Sequence, residues 1–363
     1  MNSYADQFPV LSNYTYLNTA SSGVLPLAVK EWRTQHDQDF LENASVFREP
    51  HKDHIEQIRE TMARFVGASL DDVALVPNWT FGFNTILEGV QEEKSCLLLE
   101  GDYPSINWPV ENHGLQCSYA KIDYGLEDNI REALAQKTPD IFAFSLTQYI
   151  NGITLSLEFL KEIKQLYPEM LLIADGTQYI GTRPFDFNNS PIDILGFSGY
   201  KWLMAGYGVG CMFIKQFAKD SLFPKTIGFN SASYLFGSNR EDAPFNKLLE
   251  PGHHDTLNFG SLMRSVQMLE KIGLVNIFEH VSSLRTYAIQ QLIALGFIDP
   301  KIQHRRDHGP ILSINNAPGL FAYLRQHNIL CSERGDGIRI SFHFYNNNKD
   351  LDVLFQALKD FSA

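Results

Sequence analysis

The sequence predicts an α/β fold, a mostly parallel sheet between helices followed by a smaller α+β unit. Five short, continuous apolar runs alternate with amphipathic stretches of helix length, and beyond about residue 260 the pattern changes to two long helices, one strand and a final helix. Continuous apolar strands suit a sheet covered on both faces, and the alternation of strand with helix suits parallel pairing.

In chain order, the runs are VALV (73–76), CLLLE (96–100), IFAFS (141–145), LLIAD (171–175) and ILGFS (194–198). Residues 55–65 read as a helix because Ile55, Ile58, Met62 and Phe65 fall on one side. A helix over 81–90 follows the first run, and one over 157–166 is stopped by Pro168. Residues 262–272 and a second stretch through Leu292 give the two long helices, IRISFHF (338–344) the late strand, and an amphipathic segment the last helix. At 363 residues the chain exceeds one average domain. The expected division is a large domain of residues 17–250 and a small one of 1–16 with 251–363.

Composition narrows the function classes. A formal net charge of −12 argues against nucleic acid or an anionic membrane as partner, since either would repel the surface on average. No stretch approaches the roughly 18 apolar residues of a membrane span. The opening MNSYADQFPVLSNY lacks the basic and apolar regions of a signal peptide, so a cytoplasmic location is expected. Cys96, Cys117, Cys211 and Cys331 are scattered, which suits buried free thiols rather than a disulfide framework or a metal site.

In an open parallel sheet, ligands bind where strands end at the carboxyl edge. LLIAD runs into Asp175-Gly176-Thr177-Gln178, ILGFS into Ser198-Gly199-Tyr200-Lys201, and VALV into Pro77-Asn78-Trp79-Thr80 at a helix start. Each has a bland reading alone: Asp-Gly is usually a turn, a lysine after a strand is usually solvated, and Thr80 is an ordinary cap. Together they supply what pyridoxal 5′-phosphate (PLP) requires. A carboxylate opposite the pyridine nitrogen keeps the ring protonated and so an electron sink, a role that fits Asp175. A lysine forms a Schiff base with the aldehyde and then shuttles protons, which fits Lys201; burial beside a pyridinium would lower its pKa. Trp79 and Thr80 at the helix N-terminus, with Ser198, offer N–H groups and hydroxyls to a phosphate.

These segments also stand in the order and spacing of the class V aminotransferases, which the chain resembles along nearly its whole length. That family of fold-type I PLP enzymes includes cysteine desulfurases, selenocysteine lyases, isopenicillin N epimerases and kynureninases. YLNTASSG (16–23) resembles the family's YLD-x-A-x-x-G segment and implies Asn18 and Ala20 near the substrate. NWTFGFN (78–84) is similar to the phosphate loop, with Thr80 as its hydroxyl. DYPS (102–105) resembles E-[HY]-x-[AS], which implies that Tyr103 stacks on the cofactor. DGTQ matches D-x-x-Q, giving Asp175 to the pyridine nitrogen and Gln178 to the phenolic oxygen. SGYKW matches S-x-[HY]-K, with Lys201 placed 26 residues after Asp175. HDTLNFGSL (254–262) looks like the segment through which a partner subunit reaches the phosphate, implying a homodimer that shares Thr256. IRISFHFYN (338–346) resembles the strand whose arginine grips the substrate carboxylate, which implies Arg339, with Arg334 as its companion. The resemblance therefore implies a fold-type I architecture with a seven-stranded sheet, PLP as cofactor and a small amino acid as substrate.

Three features depart from the family pattern. In SLTQYINGI (145–153), Tyr149 or Gln148 stands where many relatives place an asparagine against the phenolic oxygen. Tyr200 replaces the histidine of desulfurases, in which respect the chain is similar to kynureninase. Gly252-His253-His254-Asp255 replaces the usual approach to the shared threonine, leaving His253 and His254 as solvated interface residues or as substrate contacts. The aromatic-rich stretch 227–236 would line the subunit seam or belong to one subunit's core.

Transamination, racemisation, elimination and β,γ-cleavage share their first steps on PLP, so the constellation leaves the reaction open. Desulfurases carry a persulfide-forming cysteine on a loop between two arginines that look like Arg334 and Arg339. Here that loop shrinks to Gly335-Asp336-Gly337-Ile338, without a thiol, and Cys331 in NILCSE reads as a buried strand residue. An aminotransferase ranks first, with a lyase or epimerase as the alternative. A regulatory dimer without turnover is the reading from another class, and the intact set of Asp175, Gln178, Lys201 and Arg339 speaks against it.

Overall fold

The computed structural model describes residues 2–231 and 243–362. Strand β1 (Thr15–Tyr16) lies outside the central sheet, which contains β2 (Val73–Val76), β3 (Ser95–Glu100), β4 (Gln116–Lys121), β5 (Ile141–Ser145), β6 (Leu171–Asp175), β7 (Ile194–Ser198) and β8 (Gly210–Ile214). These seven are ordered β2-β8-β7-β6-β5-β3-β4. β8 runs antiparallel to both its neighbours, β2 and β7, while the other pairings are parallel. Two reversals cancel, so β2 points the same way as β7. The carboxyl ends of β2, β3, β5, β6 and β7 therefore open on one edge.

Every residue of β5, β6, β7 and β8 is buried. Alternate residues fall into two separate apolar clusters: Leu97, Phe142, Leu172 and Leu195 pack on one face, Leu98, Ala143, Ile173 and Ile194 on the other. Helices cover both faces, as continuous apolar strands require. Two strands escape the sequence reading. QCSYAK in β4 is an edge strand with only Ala120 buried, so it has no apolar run to find. GCMFI in β8 is wholly buried, but the glycines at 206, 208 and 210 read as a loop.

Local signals set the helix ends. Ser156 caps the Leu157–Leu166 helix, its Oγ accepting from Phe159 N at 3.2 Å. Gly67, with φ +65°, ends the His51–Val66 helix in the left-handed conformation. The helix after β2 spans Trp79–Leu87, two residues earlier than the apolar pattern suggested, because Asn78 caps it.

The later elements are β9 (Ile311–Asn315), β10 (Ile329–Leu330), β11 (Ser332–Arg334), β12 (Gly337–Ser341) and a closing Asn348–Ser362 helix. β11, β12 and β9 form a three-stranded antiparallel sheet, and β1 pairs in parallel with β10. The late strand is shorter than IRISFHF. Phe344 leaves the ladder to meet the rings of Tyr4 and Phe8 from the N-terminus. The Thr256–Ile272 helix packs on the Leu27–Asn43 and His51–Val66 helices, and the division into residues 17–250 and 1–16 with 251–363 stands as a proposal. Among the described residues no helix is long and apolar enough to cross a membrane.

Candidate active site

Asp175 is the last residue of β6 and Ser198 the last of β7, so both side chains sit on the carboxyl edge. There a cavity of about 350 Å³ is lined by Trp79, Thr80, Tyr103, Asp175, Ser198, Tyr200 and Lys201, all of which the sequence singled out. Seven residues from four segments distant in sequence thus converge because the strands that precede them end side by side.

Lys201 follows β7 on a tight loop and is only 5% exposed. Its Nζ lies 5.3 Å from the centre of the Tyr103 ring and 5.4 Å from that of Tyr200, cradled by ring faces. Burial lowers its pKa below the usual lysine range; Asp175 opposes that drop, and Arg339 and Arg334 add to it. Asp175 shifts the other way: burial raises its carboxyl above the ordinary range, against a hydrogen bond from Thr177 N to Oδ1 at 2.8 Å. The N-terminal segment locks this loop, Gly23 N donating to Tyr200 O at 2.8 Å. A Cβ at Gly23 would fall 2.0 Å from Lys201 O, so only glycine allows the approach.

The helix start at Trp79 forms one end of the cavity. Asn78 Oδ1 accepts from Phe81 N at 3.0 Å, and Trp79 N donates to Ser198 Oγ at 3.1 Å. Trp79 N and Ser198 Oγ are thus bonded to each other. Thr80 N lies in the first turn, where a helix supplies no internal partner, and its side chain is exposed toward the cavity. An anion is favoured at such a terminus.

Arg339, on β12, is 2% exposed; its Nη1 donates to Tyr149 O at 2.8 Å, while its Nε is buried without a partner. Burial pushes the guanidinium down to about 10, with Arg334 contributing. Arg334 is exposed at the end of β11, beside the Gly335-Asp336 turn that joins it to β12. Tyr149 packs edge-on against Tyr103 with ring centres 5.3 Å apart. Gln148 Nε2 reaches Ser145 O at 3.3 Å, and Asp102 Oδ2 at 3.5 Å.

Gln178 lies behind the cavity, with both ends of its amide engaged: Trp202 Nε1 donates to Oε1 at 2.7 Å, and Nε2 donates to Ala20 O at 3.0 Å. Ala20 is held again by its N–H on Ser341 Oγ at 2.8 Å, and Asn18 Oδ1 accepts from Ser332 Oγ at 2.7 Å. Thr256 is elsewhere. It lines a separate cavity of about 850 Å³ with His253 and His254, its hydroxyl 3.0 Å from His36 Nε2. His253 stacks on Phe229, and His254 Nε2 meets Glu250 at 2.8 Å. Of the aromatic stretch, Ile227 and Phe229 are exposed, while Tyr234, Leu235 and Phe236 lie outside the described residues.

Sequence reasoning passed over two residues. Asp102, quoted only within DYPS, is buried and accepts from Tyr103 N (2.7 Å) and Ser145 N (2.8 Å), tying the end of β3 to that of β5. Tyr207 lines the cavity from outside; its only sequence signal is the pair of glycines around it.

A buried lysine beside two aromatic rings, a buried carboxylate and a helix N-terminus around one cavity are groups of the kind that PLP's aldehyde, ring nitrogen and phosphate require. Comparison with known proteins agrees. Residues 16–354 match the aminotransferase class V family, to which the chain belongs; it is a PLP-dependent enzyme of fold type I. A probable cysteine desulfurase of Ureaplasma parvum is 23% identical, with 99% of this chain and 98% of that protein aligned. An uncharacterised aminotransferase of Bacillus subtilis, YcbU, is 24% identical over 96% of this chain and 94% of its own. Among solved structures, the apo cysteine desulfurase of Thermococcus onnurineus superposes with a TM-score of 0.87 at 18% identity, covering 99% of this chain and 97% of that one. The cystine C–S lyase C-DES, in complex with its product cysteine persulfide, gives 0.88 at 20%, covering 98% and 99%.

Proposed function

We propose that this chain is a PLP-dependent carbon–sulfur lyase that cleaves a small sulfur-bearing amino acid by β-elimination, without placing the sulfur on a cysteine of its own. The observation that carries the reading is where its thiols lie. Cys96 and Cys211 are core residues of the sheet, Cys117 is half-buried on the edge strand, and Cys331 is 2% exposed between β10 and β11. Burial raises all four thiol pKa values, that of Cys331 to about 12, whereas a persulfide-forming cysteine needs an accessible thiolate. The names of the relatives point to carbon–sulfur chemistry, and the thiol positions speak against the persulfide route.

The bound cofactor supplies an electron sink conjugated to the substrate Cα. Lys201, with its lowered pKa, takes the Cα proton. Arg339, oriented by Tyr149 O, grips the substrate carboxylate through its remaining donors. Tyr103 would cover one face of the cofactor ring, Asp175 would keep its ring nitrogen protonated, and Thr80 with the helix start would hold its phosphate. The Cβ–S bond breaks, the sulfur leaves with its electron pair and takes a proton, and water converts the three-carbon remainder to pyruvate and ammonium.

The test is product analysis with L-cysteine and L-cystine, first with no other substrate and then with a 2-oxo acid added. Pyruvate and ammonium in equal amounts are expected. Alanine with released sulfur instead would mean a desulfurase. A strict need for a 2-oxo acid acceptor would restore the aminotransferase ranked first from the sequence, the reading that the Bacillus relative's name favours.

A further inference from the structure

The roles above leave the cavity's outer rim unexplained, and Tyr207 stands there. It is 66% exposed yet lines the same cavity as Lys201 and Asp175. Its ring stacks on Tyr200 with centres 4.8 Å apart and planes 23° from parallel. Tyr200 in turn faces Lys201 Nζ. The Tyr207 hydroxyl donates to Ser22 Oγ at 3.2 Å, bridging the loop after Lys201 to the N-terminal segment that carries Ala20.

This tip is braced from behind. Arg33 donates to Ala205 O at 3.1 Å, to Asn258 Oδ1 at 2.9 Å and to Ser261 Oγ at 2.8 Å. Gly206 and Gly208 have φ +83° and +80°, a conformation side-chain-bearing residues rarely adopt. A Cβ at Gly206 would meet Arg33 Nη2 at 2.7 Å. The backbone thus makes two left-handed steps around a single tyrosine. A large ring left mostly exposed gains little from burial, so its fixed place is not explained by folding alone. At the mouth of a ligand cavity, a held aromatic ring is a contact for whatever enters.

The geometry points to Tyr207 as a specificity-determining residue, the fixed outer wall of the Lys201 cavity that admits amino acids with short side chains and turns away bulky ones. This rests on the reading of the cavity as an amino-acid site, but not on which reaction follows there. The experiment uses the holoenzyme as wild type, Tyr207→Ala and Tyr207→Phe, titrated with L-alanine, L-cysteine and S-benzyl-L-cysteine. Binding is read as the change in visible absorbance of the cofactor, which needs no product. Wild type should prefer L-alanine to S-benzyl-L-cysteine; Tyr207→Ala should lose about tenfold of that preference, and Tyr207→Phe, which keeps the ring, should retain it. An unchanged preference in Tyr207→Ala would reduce Tyr207 to a solvated loop tip. A wild type that responds to no amino acid would overturn the amino-acid site and the wall with it, whereas selective binding without pyruvate release would overturn only the proposed reaction.

Discussion

Lys201 and Asp175 show how one residue's neighbours set its chemistry. Both are buried, and burial drives their proton affinities toward each other by disfavouring each charge. Lys201→Ala should fold and yet form no Schiff base of its own with added PLP. Borohydride treatment should then fix no pyridoxyl label; a label on another lysine would show that the role belongs there. Asp175→Asn should still bind PLP, but kcat should fall about 10²–10³-fold, because an amide cannot keep the ring nitrogen protonated. A kcat unchanged at saturating PLP would remove Asp175 from the chemistry. The sequence makes these two residues legible because one ends and the other follows an apolar strand, with little else to do. Gln178 is less transparent: its motif is intact, but the bonds from Trp202 and to Ala20 that occupy its amide join segments far apart in the chain.

Glu250 ties several elements together. Its carboxylate accepts from Arg59 Nη1 at 2.6 Å and Nη2 at 2.9 Å, from Leu75 N at 2.7 Å and from Lys247 Nζ at 3.2 Å, and meets His254 Nε2. Arg59 also donates to Val73 O, so the His51–Val66 helix is fastened to the edge strand β2. Burial alone would raise the Glu250 pKa, but His254 and Arg59 outweigh it and hold the group well below its ordinary 4.5. With the folded value depressed, its contribution to stability is fully present above the ordinary glutamate range and is lost as pH falls through the folded value. Glu250→Ala should cost about 3–5 kcal/mol at neutral pH, since it strands a buried guanidinium. Urea unfolding measures this, and the gap between variant and wild type should narrow only in strong acid. A neutral substitution would mean that water reaches Arg59. No strand or helix pattern announces this anchor, for Glu250 lies in a polar stretch that reads as loop.

At the scale of the whole molecule, Thr256 lines a cavity other than that of Lys201, the site its motif is expected to serve. A homodimer in which Thr256 of one subunit bonds the phosphate held by the other accounts for that separation, and this remains a proposal. A buried phosphate oxygen without a donor would cost about 1–3 kcal/mol. Activity per chain and PLP affinity should therefore fall together on dilution as dimers dissociate. Mixing the two separately impaired proteins Lys201→Ala and Thr256→Ala should restore activity, because the mixed dimer has one site with both residues; dilute monomers of full activity would end the shared-site model. By itself the sequence determined five of the sheet's seven strands, the polar residues that follow three of them and the cofactor, because buried parallel strands leave a continuous apolar record and the residues that end them have few other reasons to be polar. Edge strand β4 left no such record. Only the tertiary structure decided that Gln178 is committed behind the cavity, that Asp102 joins two strand ends and that Tyr207 stands at the mouth. Each of those depends on distances between segments 40 to more than 150 residues apart, or on burial, and neither is written in local periodicity.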